Sequence, residues 1–259
     1  NNSFFNSIIG FTDNGNSMYL HHQYKPGKQP TGGISVSRRQ GKQWGAPTPV
    51  TVKYFQNKSE HQSGSLASGG QVMLLAMESY GNYGAEDLYV SFRQADGAWT
   101  TPENLGSGIN TRYQEYSPVL LSDNKTLIFA SNGYDGFGSM DFFYSLRLDE
   151  TWKNWSKPQN LGSKINSSGR EAYYHVSPDQ QFVYFMSTRN SDGYGDIRRL
   201  KISPDDLPRQ IESESIIATE MPQNIVPVVV DSVSDSDTET ANDITLEGMV
   251  VSETNNNPV

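Results

Sequence analysis

Residues 99–115 read WTTPENLGSGINTRYQE, and residues 155–171 read WSKPQNLGSKINSSGRE. The two stretches carry Trp, Pro, Asn-Leu-Gly-Ser, Ile-Asn and a closing Glu in the same order, 56 positions apart. An internal period of this size marks a repeat architecture. Further anchors keep the same interval. Trp44, Trp99 and Trp155 are each followed three positions later by Pro47, Pro102 and Pro158. Asp87, Asp141 and Asp196 follow Gly-rich turns at intervals of 54 and 55, with Gly33 one period earlier. Glu60, Glu115 and Glu171 recur at intervals of 55 and 56. Four units are visible, near 1–55, 56–111, 112–168 and 169–211.

Within a unit every local signal is β. In the third, "YSPVLL" meets the polar turn "SDNK" and then "TLIFAS", a strand apolar on both faces and so suited to burial on both. A Gly-rich loop leads to "DFFYSLRL", and a hairpin to an outer strand around "WSKPQNL", where a proline removes no needed ladder bond. No apolar stripe of helical period is sustained. Four strands per unit at this repeat length predict an all-β fold, a β-propeller of four-stranded blades. The spacing leaves open whether four blades close the ring or a fifth lies upstream.

Charge is unevenly placed. Residues 1–211 hold all 20 Lys and Arg and 19 of the 29 Asp and Glu, whereas Glu212 to Glu253 hold the other 10 acids and no base. The near-neutral part offers no basic stripe, and the tail would repel phosphates, which argues against a nucleic-acid partner. The tail reads as an acidic flexible linker over 212–243. No run of about 18 apolar residues predicts a direct membrane span. The chain has no Cys, so thiolate catalysis and Cys-zinc sites are excluded.

The residues give little support to catalysis. His21 and His22 are neighbours on a predicted strand and point to opposite faces, and His61 and His175 lack any metal-binding context. There is no Gly-x-Ser-x-Gly elbow. Glu60, Glu115 and Glu171 could serve a propeller glycosidase or sialidase, but a group repeated in each blade reads as architecture, accepting bonds from loop N–H groups. Asn190, Asp192 and Asp196 offer three oxygens for calcium, yet Asp beside Gly is ordinary turn chemistry. No catalytic residue, metal or cofactor is expected. Tyr80, Tyr83, Tyr134, Phe137 and Tyr194 fall on the Gly-rich loops and are the candidate partner-binding residues, with sealing of neighbouring blades as the competing role.

"SPDQQFVYFMSTRNSDGYGDI" together with W-x-x-P-x-N-L-G-x-x-I-N resembles the WD-like, TolB-like propeller repeat of Bacteroidota envelope proteins. The sequence departs from that pattern where the second unit has Gly69-Gly70 for Pro-Asp, and where the fourth has "DLPRQI" without Trp in its outer strand. The ending "ITLEGMVVSETNNNPV", residues 244–259, resembles the first strand of a carboxypeptidase-regulatory-like β-sandwich, which implies that the chain is part of a longer protein. A propeller followed by such a sandwich resembles OmpA-family envelope proteins, among them a peptidoglycan-associated component of type IX secretion. The resemblance implies a non-enzymatic scaffold, periplasmic and associated with the outer membrane, whose partners are other envelope or secretion-system proteins. Peptidoglycan would be reached only through a domain absent here. "DSV" at Asp231 is similar to the Bacteroidota O-glycosylation acceptor. The alternative reading is a glycan-binding or glycan-hydrolysing propeller.

Overall fold

The computed structural model describes residues 7–24 and 28–203. The expected linker, the sandwich strand and the "DLPRQI" outer strand lie outside the described residues.

Alternating apolar residues decide the architecture. In β7 (Val72–Met77), Met73, Leu75 and Met77 pack into one core with Ile9, Tyr19, Ile34 and Trp99. Leu74 and Ala76, pointing the other way, join a second core with Leu127, Phe129 and Phe142. A strand that is buried on both faces, with successive side chains serving different cores, must lie between two other sheets. β7 is the second strand of its own sheet, which comprises β6 (Ser63–Leu66), β7, β8 (Asp87–Phe92) and β9 (Glu103–Asn104) in antiparallel order. One sheet lies on either side of it.

The preceding sheet runs β1 (Ile8–Thr12), β2 (Ser17–Gln23), β3 (Thr31–Gln40) and β4 (Gln43–Trp44), with β5 (Thr48–Val50) also pairing β3. The following sheet is β10 (Glu115–Leu120), β11 (Thr126–Ser131), β12 (Asp141–Leu146) and β13 (Gln159–Asn160). The last contains β14 (Glu171–Val176), β15 (Phe182–Ser187) and β16 (Asp196–Lys201). Contacts join β1 to β6, β6 to β10 and β10 to β14, so the first strand of each sheet is innermost. Four antiparallel sheets arranged about their first strands are four blades of a β-propeller. Among the described residues the helical content is two short 3-10 turns, Asp13–Gly15 and Ser68–Gly70.

The innermost strands are also joined by side chains. β10 and β14 each carry a bulge, which β6 lacks. At the bulge, the Ser117 N–H donates to Ser63 Oγ at 2.7 Å, and the Tyr173 N–H donates to Ser117 Oγ at 3.1 Å. Bulging frees a backbone donor, and the preceding blade supplies its acceptor.

The tryptophan anchors mark the outer ends. Trp44, Trp99 and Trp155 pair with Arg39, Arg93 and Arg147, which occupy one position of the repeat. Trp99 and Trp155 are buried, Trp99 edge-on to Tyr19 of the preceding blade, while Trp44 remains exposed.

Candidate interaction site

The repeated polar residues form one network per blade junction. Asn110 Oδ1 accepts the Leu88 N–H at 2.8 Å, and Asn110 Nδ2 donates to the Leu88 carbonyl at 3.0 Å. Asn166 does the same to Phe142, at 2.8 and 2.9 Å. Each amide adds to the outer segment at the start of β8 or β12, where the Leu88 and Phe142 carbonyls also accept the Leu105 and Leu161 N–H, both at 3.0 Å. Asn104 and Asn160 support it, because their Oδ1 atoms accept from the Asn110 and Asn166 amides and from the N–H of Gly106 and Gly162, all at 2.8 Å. The conspicuous NLGSxIN stretch is therefore a latch that fastens the connection toward the next blade onto the third strand of its own blade.

The glutamates complete it. Glu115 accepts from the Thr111 N–H, the Thr111 hydroxyl and the Ser131 hydroxyl, each at 2.8 Å. Glu171 accepts from Ser167 N–H at 3.1 Å, Ser167 Oγ at 2.5 Å and Ser187 Oγ at 2.7 Å. Burial pushes the Glu115 carboxyl up from its ordinary value, and the bonds from Thr111 and Ser131 oppose this. Both carboxylates are wholly buried and spent on hydrogen bonds.

Glu60 corrects the sequence reading: it is exposed and lies outside β6. Ser63 pairs with Ala76 as Tyr116 pairs with Ala130, so Gln62 occupies the place of Glu115. The bulges of β10 and β14 are missing from β6, and linear spacing cannot register that difference. Gln62 donates to the His22 ring instead, with its amide 2.9 Å from Nε2.

The aspartates anchor the loop face. Asp87 accepts from the Tyr83 N–H at 2.8 Å, the Gly84 N–H at 3.3 Å and Asn104 Nδ2 at 2.7 Å. Asp141 accepts from the Phe137 N–H and from Asn160 Nδ2. In both blades the strand's first carboxylate thus pins the backbone of an exposed ring four residues earlier. In the fourth blade Asp192 takes over, accepting the Tyr194 N–H at 3.3 Å, and Asp196 contacts Arg198. Burial pushes the Asp87 carboxyl up, opposed by the Tyr83, Asn104 and Gly84 donors. Among the described residues no three His, Asp or Glu side chains converge as a metal would require.

Glycine is required beside each pinned ring. A Cβ on Gly84 would lie 2.2 Å from the Tyr113 carbonyl oxygen, and one on Gly138 would lie 2.3 Å from the Gly169 carbonyl oxygen. The loops dock directly on the connection into the next blade, where the Ala85 N–H donates to Tyr113 O and the Ser139 N–H to Gly169 O, both at 2.8 Å.

Four of the five candidate rings are exposed: Tyr80 at 75%, Tyr83 at 51%, Phe137 at 53% and Tyr194 at 54%. Tyr134 is not one of them. Its ring packs on Phe129 and Phe143, and its hydroxyl donates to the Ile109 carbonyl at 2.7 Å, so it takes the sealing role between blades. Burial and the nearby Glu115 raise its pKa above that of an ordinary tyrosine. Sequence reasoning missed Tyr113, 48% exposed on the docked connection, because its counterpart in the next unit is Gly169. Lys58 and Arg112 lie over the Tyr80 and Tyr113 rings at 5.2 and 5.3 Å, giving the aromatic rim a basic element.

Around the axis, Tyr116 and Tyr173 of adjacent inner strands meet edge to face, with hydroxyls 3.3 Å apart. At the opposite mouth, beside the turns between first and second strands, lies a cavity of about 470 Å³. Its wall includes Ile9, Phe11, Leu66, Val119 and Leu121, with His175 and Gln180; none of its lining residues bears a carboxylate.

No family model matches the sequence, and no curated protein matches it. Solved structures that are similar include β-propellers. A protein assigned as TolB from Agrobacterium tumefaciens is 14% identical, with 77% of this chain and 59% of that one covered and a TM-score of 0.47. TolB from Acinetobacter baumannii is 11% identical, with 78% and 41% covered and a TM-score of 0.48. The periplasmic gluconolactonase of Pseudomonas aeruginosa is 14% identical, with 76% and 68% covered and a TM-score of 0.40. The chain thus matches little more than half the length of the first and less than half of the second. The propeller assignment rests on the sheet order and repeated contacts of this chain itself.

Proposed function

We propose that this chain is a non-enzymatic protein-interaction platform of the cell envelope, periplasmic and part of an outer-membrane assembly of the type IX secretion kind. The observation that carries the binding role is the loop face. Tyr83 and Phe137 are exposed on backbones pinned by Asp87 and Asp141, with Tyr80, Tyr113 and Tyr194 exposed on the same or neighbouring loops. Aromatic side chains held rigidly lose little entropy on contact, which suits them to anchor a protein partner. The recurring carboxylates Glu115 and Glu171 are engaged by three donors each, which leaves them unsuited to the paired acid–base work of glycan hydrolysis. The envelope setting rests on the sequence resemblance.

The test is capture of partners by the intact protein from envelope extract, identified by mass, beside an assay of glycan hydrolysis. Recovery of an envelope protein without hydrolysis is expected. Hydrolysis without any recovered partner would overturn the proposal.

A further inference from the structure

All four innermost strands end at one cavity. At the mouth opposite the loop face, the ends of β1, β6, β10 and β14 and the turns that follow β10 and β14 enclose about 470 Å³. That volume lies within the range of about 300–1,000 Å³ typical of small-molecule pockets.

The wall of this cavity has two halves. On the side of the first three blades it is apolar. Leu66, Val119 and Leu121 line it and are only partly buried, although Leu66 and Leu121 rest on the two cores. Phe11 is 50% exposed and is held by Trp44, whose ring lies 6.0 Å away with Arg39 over it at 5.9 Å. Trp44, exposed where Trp99 and Trp155 are buried, thus braces a ring of the cavity.

On the side of the fourth blade the wall is polar. His175 and Gln180 line it, and neither the His175 ring nor the Gln180 amide has a hydrogen-bond partner among the described residues. None of the lining residues is Asp, Glu, Lys or Arg. The carboxylates nearest in sequence are engaged in their own turns. Asp123 accepts the Lys125 and Thr126 N–H groups, both at 2.9 Å, and Asp179 accepts the Ser177 hydroxyl at 2.5 Å and the Gln181 N–H at 3.1 Å.

The lining selects the chemistry of an occupant. Apolar surface left wet in a concavity gains from any apolar body that displaces the water. A charge brought there would lose its hydration and meet no counter-charge. A hydrogen bond to His175 or Gln180 breaks no bond within the protein.

We propose that this cavity is a second binding site, taking an uncharged, mainly apolar small molecule. Its apolar body lies against Phe11, Leu66 and Val119, and its polar group lies on the side of His175 and Gln180. The site is on the face opposite the loop rings, so it is distinct from the surface proposed to hold a protein partner.

The test uses the intact protein and N-phenyl-1-naphthylamine, a neutral dye that brightens in apolar surroundings. One saturable site is expected, with resonance shifts confined to the methyls of Ile9, Leu66, Val119 and Leu121 and to the side chains of His175 and Gln180. The anionic relative 1-anilinonaphthalene-8-sulfonate should bind there at least about tenfold more weakly. Val119→Trp or Leu66→Trp, whichever keeps the parent denaturation midpoint, fills the space and should weaken the dye at least about tenfold. No saturable binding, shifts centred elsewhere, equal binding of the anionic dye, or full affinity in a folded Trp variant would each overturn the proposal. Should both Trp variants fail to fold, the resonance shifts and the anionic dye decide it on the intact protein.

Discussion

Asn110 grips the backbone of Leu88 from both sides, accepting its N–H at 2.8 Å and donating to its carbonyl at 3.0 Å. One side chain thereby satisfies two buried groups at a blade junction. Asn110→Ala strands the Leu88 N–H, while the Leu88 carbonyl keeps the bond from the Leu105 N–H at 3.0 Å; an unsatisfied buried polar group costs about 1–3 kcal/mol, and a loss of about that size is expected. Chemical denaturation reads this as a lower midpoint, and Asn166→Ala should behave alike through Phe142.

His21 sets a pH dependence. Burial, with the charge of His22 second, lowers its pKa to about 3. The unfolded chain therefore binds a proton below about pH 6.5 that the folded chain takes only near pH 3, so stability falls as pH drops through that window. His21 Nδ1 has no partner in the described structure, so His21→Leu forfeits no bond from that atom. The variant should gain about 2 kcal/mol relative to the parent on going from pH 8 to pH 5, read from denaturation midpoints at each pH.

Gly84 and Gly138 admit no side chain, since a Cβ would meet the Tyr113 or Gly169 carbonyl oxygen at 2.2 or 2.3 Å. Either glycine changed to Ala must push the loop off the next blade. A loss of about 1–3 kcal/mol is expected, together with faster amide exchange at Ala85 or Ser139, whose N–H groups bond those carbonyls.

The propeller was legible because its anchors are polar residues whose partners recur at fixed offsets. Asn110 and Asn166, Glu115 and Glu171, and Asp87 and Asp141 all keep their interval because each performs the same bond in successive blades. The reading failed where strand geometry changes without a change in the anchor's residue type. β6 lacks the bulge of β10, so Glu60 looked equivalent to Glu115 although Gln62 holds that place. Arg39, Arg93 and Arg147 went unnoticed although they recur like the tryptophans they pair with. The loop rings were harder to sort. Phe137 and Tyr134 lie on one Gly-rich turn, and only three-dimensional packing sends one outward and the other onto Phe143.

Asp87→Ala removes the acceptor that holds the Tyr83 backbone and the Asn104 side chain. Loosening the loop beneath the ring should weaken partner binding by about three- to tenfold through a faster off-rate, with the ring itself unchanged. Kinetics of the captured partner on the variant surface would show it.

The most direct test of the account compares the intact protein with a variant carrying Tyr80, Tyr83, Phe137 and Tyr194 all changed to Ser. These rings are exposed, so the denaturation midpoint should hold while the affinity for the captured envelope partner falls at least about a hundredfold. An unchanged affinity in a folded variant would contradict the central claim that the loop face is where this propeller binds.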